Sequence, residues 1–62
     1  YIKAKEMILE YLDTNEFITN EKTRELCGFT KQQARATLDK MRAEEKIVLM
    51  GVGRASRYVK NE

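Results

Sequence analysis

Apolar positions recur with a helical period over the first two thirds of the chain and take on an extended, β-prone character over the last third. Ala4, Ile8 and Leu12 fall every four residues, and Leu9 widens the stripe, so an amphipathic helix is predicted over about Ile2–Leu12. Lys3, Lys5, Glu6 and Glu10 take its other side. Asp13-Thr14-Asn15 then supplies a turn. The short apolar piece Phe17-Ile18-Thr19 is placed to add a small third strand to a later hairpin. A second helix is predicted over about Glu21–Cys27, capped by Thr19 or Asn20, with Glu21 suiting the dipole of its first turn. Gly28 ends it, because glycine adopts the left-handed cap conformation without a Cβ penalty. Phe29 follows as an apolar residue inside the turn, and Thr30 is the next N-cap. The third helix runs from Lys31 to Glu44 or Glu45, with Ala34, Leu38 and Met41 at helical spacing. Ile47–Met50 and Ser56–Val59 are β-prone, and the loop Gly51-Val52-Gly53-Arg54-Ala55 joins them as a hairpin.

This order predicts a mainly α fold with a small β-hairpin, an α+β domain. Two helices joined by a glycine-containing turn, Asn20 to Met41, form a helix-turn-helix. A hairpin directly after it makes the winged variety, three helices with a two- to three-stranded antiparallel wing. The B-DNA major groove admits one α-helix, and in this motif the second helix lies there with its N-terminal residues at the base edges. Lys31, Gln32 and either Arg35 or Ala36 are the expected base contacts. An amide suits adenine, a cation suits guanine or phosphate, and Ala36 leaves room for a thymine methyl. Thr30 caps this helix at the same surface. Gln33 and Thr37 are expected to face phosphates, and Lys40, Arg42, Arg54 and Arg57 to hold the backbone. The wing arginines Arg54 and Arg57 suit either phosphate or a narrow minor groove. A polar, solubilising helix face and a charge-protected hairpin edge are the bland counterparts of these two assignments.

Charge sharpens the picture through its distribution. The net value is only +2. Residues 1–29 carry four basic and six acidic side chains, whereas residues 30–62 carry eight and four, so the half holding the third helix and wing is the basic one. The chain has 62 residues, too few for a deep catalytic pocket, and reads as one domain cut from a longer protein, since it does not begin with Met. No apolar run is long enough for a membrane helix, and the charged first turns do not read as a signal peptide. The single cysteine, Cys27, fits a reducing, cytoplasmic setting and a small buried helix residue. Without histidine there is no Cys/His zinc set and no His-dependent triad. Gly51-Val52-Gly53 lacks the third glycine and the helix of a dinucleotide fingerprint. The residues therefore point away from an enzyme and from any cofactor, metal or small-molecule substrate.

Ile18-Thr19-Asn20, Arg24-Glu25-Leu26 and Gly28-Phe29-Thr30 resemble an "ITN…REL.G.S" helix-turn-helix opening, and Gly53–Val59 resembles a "GRGT.Y" wing end. Both recur in C-terminal winged-helix domains of RecG-like, divergent AAA-type helicase-related regulators. Similar domains end some Fic-family proteins, and the broader shape is shared with MarR-type regulators. The resemblance covers residues 6 to 60. It implies bacterial or archaeal origin, double-stranded DNA binding or transcriptional regulation, a recognition helix over Thr30–Arg42 and a wing over Gly51–Arg57. Two positions depart from the pattern. Lys22 stands where a Glu commonly completes the capping box, and Ala55 replaces a wing glycine. The rival expectation is a protein-interaction winged helix that forms a homodimer or docks another domain of its parent chain. Glu6, Glu10 and Asp13 with Met7 and Tyr11 would then be its surface.

Overall fold

Fully buried Ile8, Ile18, Leu38 and Met41 come from the first helix, the segment after it and the third helix, and they pin these pieces to one core. A computed structural model describes residues 1–51, 53 and 56–61. The elements are α1 (Ile2–Thr14), α2 (Asn20–Cys27), α3 (Lys31–Ala43), β1 (Ile47–Met50) and β2 (Arg57–Lys60). Leu12, Ile47 and Tyr58 complete the core cluster, so α1 and α3 cover one inner face of the hairpin while α2 packs against α1 and α3. Removing a large aliphatic side chain of this kind from water stabilises the fold by about 1.5–3 kcal/mol.

Several boundaries differ from the sequence pattern, each for a local reason. α1 runs on to Thr14, because Asn15 Nδ2 donates to the Tyr11 carbonyl at 2.8 Å and satisfies the helix end. α2 begins at Asn20, and Thr19 is its cap, its hydroxyl accepting from the Lys22 N–H at 3.1 Å. The departure at Lys22 therefore leaves the Thr19 half of the cap intact. Gly28 closes α2 at φ 68°. α3 stops at Ala43, short of the expected Glu44 or Glu45, because Glu45 turns left-handed at φ 60°. The Lys46 N–H donates to Met41 O and the Glu45 N–H to Arg42 O, both at 2.9 Å. That pair of bonds is a Schellman motif with glutamate where glycine is usual.

β1 and β2 pair antiparallel, with Val48 opposite Val59 and Met50 opposite Arg57. β2 extends through Lys60, beyond the expected Val59, and Lys60 reaches Asp13 at 2.6 Å. The expected third strand is a single bridge. Ile18 and Tyr58 exchange two backbone hydrogen bonds of 2.8 Å. This stitches the α1–α2 connection to the outer edge of β2 and leaves β1 beside α3. No helix among the described residues is long and apolar enough to cross a membrane.

Candidate nucleic-acid interface

α3 buries Ala34, Thr37, Leu38 and Met41, and at about 100° per residue the opposite side is Gln32, Arg35, Ala36 and Asp39. Its start is rigidly set. The Thr30 N–H donates to Gln33 Oε1 at 2.9 Å, and the Gln33 N–H donates to Thr30 Oγ1 at 3.2 Å, a complete capping box. Asn20 Nδ2 donates to the Lys31 carbonyl at 3.5 Å, a contact from the start of α2 to the start of α3. Thr23 and Ala34, both fully buried, are the small residues that α2 and α3 turn inward.

This geometry divides the expected contact set. Gln32, Arg35 and Ala36 are exposed on the outer side of the first two turns, and Lys31 is exposed on the flank of the first. Gln33 is exposed, but its carbonyl is spent on the cap, so Gln32 is the amide with no hydrogen bond inside the chain among the described residues. Thr30 likewise serves the cap. Thr37 overturns the expectation of a phosphate contact. It is 8% exposed, because position 37 continues the Ala34–Leu38–Met41 face into the core.

The cations separate into two groups. Arg35 and Arg42 lie on the flank of α3 that faces β1, and Asp39 stands between them at 3.7 Å from each. The Arg35 side chain is 78% exposed, so this pair holds it loosely. Arg35, Asp39 and Arg42 form one wall of a groove whose other wall is Val48, Leu49 and Gly51. Lys40 sits on the far flank, its Nζ 4.3 Å from the Tyr1 ring centre, with Lys5 Nζ at 5.4 Å from the same ring. The Tyr1 hydroxyl donates to Glu44 Oε1 at 2.8 Å. Partial burial and that bond push the Tyr1 hydroxyl up to about 12, and the bond holds the Glu44 carboxyl below its usual value. Lys40 is therefore engaged with Tyr1, the residue before α1, and is not gathered with Arg35 and Arg42.

Arg57 begins β2 with its guanidinium 5.3 Å from the Phe17 ring centre. Sequence reading missed this pairing, since the two residues lie forty positions apart and meet only through the Ile18–Tyr58 bridge. Arg54, the other wing arginine, lies outside the described residues. Cys27 is half-buried, and burial pushes its thiol up, away from the reactive thiolate. Among the described residues no group of three or more Cys, Asp or Glu is arranged to hold a metal.

Three helices followed by an antiparallel hairpin give this chain a winged-helix-like, α+β layout. No family model matches it, and no curated protein matches it. Among solved structures it matches the crystal structure of the DIP2311 protein from Corynebacterium diphtheriae, with a TM-score of 0.88 and 24% identity over 95% of this chain. The chain spans 11% of the length of that protein, so the shared fold is a small part of a longer polypeptide there. The likeness is one of fold.

Proposed function

We propose that this chain is the DNA-binding winged-helix module of a larger bacterial or archaeal transcriptional regulator or helicase-related protein, acting in the cytoplasm without catalysis of its own. α3 enters the major groove, and the hairpin rests on the backbone or in the minor groove. The observation that carries this reading is the outer strip Lys31–Gln32–Arg35–Ala36. It is exposed and bordered by a groove between α3 and β1 that Arg35 and Arg42 line. Lys31, Gln32 and Arg35 read base edges, while Arg42, Arg57 and Arg54 hold phosphates. Lys40 serves this surface only if it leaves Tyr1. The groove beside α3 supports a contact wider than the helix face alone.

Titration of a fluorescent duplex with the chain tests it. If Arg42, Arg54 and Arg57 each neutralise a phosphate, the log–log salt slope is about −2.7, and raising salt from 50 to 200 mM weakens binding about 40-fold. Replacing Lys31 and Arg35 together by Glu abolishes binding. A chain that ignores duplex DNA at 50 mM salt, or binds it without salt dependence, is not this module. The alternative, a winged helix used only for protein contact, is favoured by a different surface, on α1 and α2.

A further inference from the structure

α1 carries its charges against its own dipole. Its first turn holds Lys3 and Lys5 and no acid, and its last turn holds Asp13 and no base. Two of the misplaced charges are answered within the chain, Lys5 by Glu44 at 3.5 Å and Asp13 by Lys60 at 2.6 Å. Lys3 is not. Glu6 and Glu10 are acids of the middle turns without an ion pair among the described residues, and of the charges along the α2-facing side Lys3 and Glu10 are both exposed and unpaired among those residues.

These two residues flank one apolar hollow each. Met7, Tyr11 and Leu26 line the hollow beside Glu10. Ala4, Met7 and Cys27 line the hollow beside Lys3. Met7 belongs to both. Positions 3, 7, 10 and 14 form a single stripe along α1, because residues three and four apart on a helix are neighbours. The stripe therefore reads plus, apolar, minus around a central methionine, along the seam where α1 meets α2.

That pattern is its own complement when reversed. Lys3 and Glu10 stand four and three residues from Met7. A second α1 laid antiparallel, with the two-fold axis beside Met7, brings each Lys3 opposite the Glu10 of the other copy. The two helix dipoles are also opposed, which relieves the misplacement that a lone α1 retains. We infer that the α1–α2 face binds a second copy of this chain as an isologous dimer, with two Lys3–Glu10 pairs around a Met7–Met7 contact. No residue of the two hollows belongs to α3 or the hairpin. The dimer leaves the α3 strip uncovered, and it stands or falls independently of DNA binding.

The contact is small. A 13-residue helix offers a strip about 20 Å long and 10 Å wide, about 400 Å² over two copies and well under the ~1,000 Å² of a stable interface. The dimer is accordingly weak, and salt weakens it further because the pairs lie at an exposed rim.

Sedimentation equilibrium from about 10 μM to about 1 mM, at low and high salt, reads the association directly. The chain as given shows a monomer–dimer equilibrium that moves toward monomer at high salt. Lys3→Glu alone and Glu10→Lys alone each turn two attractions into two repulsions and weaken the dimer about tenfold or more. The double variant Lys3→Glu/Glu10→Lys restores it to within about threefold. Each reversal moves α1 toward the charge order its dipole favours, so loss of folding does not mimic the effect, and circular dichroism checks this. Three outcomes overturn the inference: a chain monomeric at about 1 mM, a dimer indifferent to the single reversals, or a double variant that fails to recover.

Discussion

Replacing Glu45 by glycine should stabilise this domain, and the turn concerned sets the angle between α3 and the hairpin. Glu45 sits at φ 60°, the one described non-glycine residue with a left-handed backbone. That conformation costs an L-residue about 1–2 kcal/mol. Glycine avoids the cost but loses about 0.5–1 kcal/mol more chain entropy on folding. The Glu45 side chain has no hydrogen bond or ion pair among the described residues. The bonds that hold the turn, Glu45 N–H to Arg42 O and Asn61 Nδ2 to Glu45 O, involve backbone atoms that glycine keeps. The net gain is about 0.5–1 kcal/mol. For 62 residues at about 2.1 cal/mol/K each, the melting temperature rises by about 4–8 °C. Thermal unfolding followed by far-UV circular dichroism measures it, with Glu45→Ala as the control that removes the carboxylate but keeps the Cβ. A fall in melting temperature for Glu45→Gly, or an equal rise for Glu45→Ala, would refute the backbone argument.

Asp39→Asn should raise duplex affinity about threefold at low salt, since it removes a negative charge from between Arg35 and Arg42. Fluorescence anisotropy reads it, and unchanged or weaker binding counts against a duplex in the α3–β1 groove. Thr37→Val should leave duplex affinity within about twofold, because the side chain faces the core, and a tenfold loss in the same titration would return Thr37 to the phosphate contacts. The Tyr1–Glu44 bond predicts two pH limits. Glu44 is held below its usual value, so its contribution is present at neutral pH and is lost as pH falls through the carboxylate range. Tyr1 is raised to about 12, so its contribution is present below 10 and is lost as pH climbs through 12. Tyr1→Phe should flatten stability at both ends, and urea titrations across pH show whether the two profiles differ.

The sequence determined the elements because each carried a local signal. Four-residue apolar spacing marked α1 and α3, Thr19 and Thr30 marked the caps, Gly28 marked the stop, and the glycine-rich loop marked the hairpin. All of these act within a few residues, so the chain order alone exposes them. Element ends were less legible where a side chain decided them by reaching backbone, as Asn15 does at the end of α1, or where a residue took an unfavoured conformation, as Glu45 does. Tertiary structure alone decided which polar positions of α3 face outward. Thr37 looks no different from Gln33 by composition, and only the packing of α3 on the core turns it inward. It also decided which cations act together, since Lys40 goes to Tyr1, Arg57 to Phe17, and Arg35 and Arg42 to the groove beside β1. Those pairings join residues as much as forty positions apart, and a contact between distant residues exists only once the chain has folded to bring them within reach.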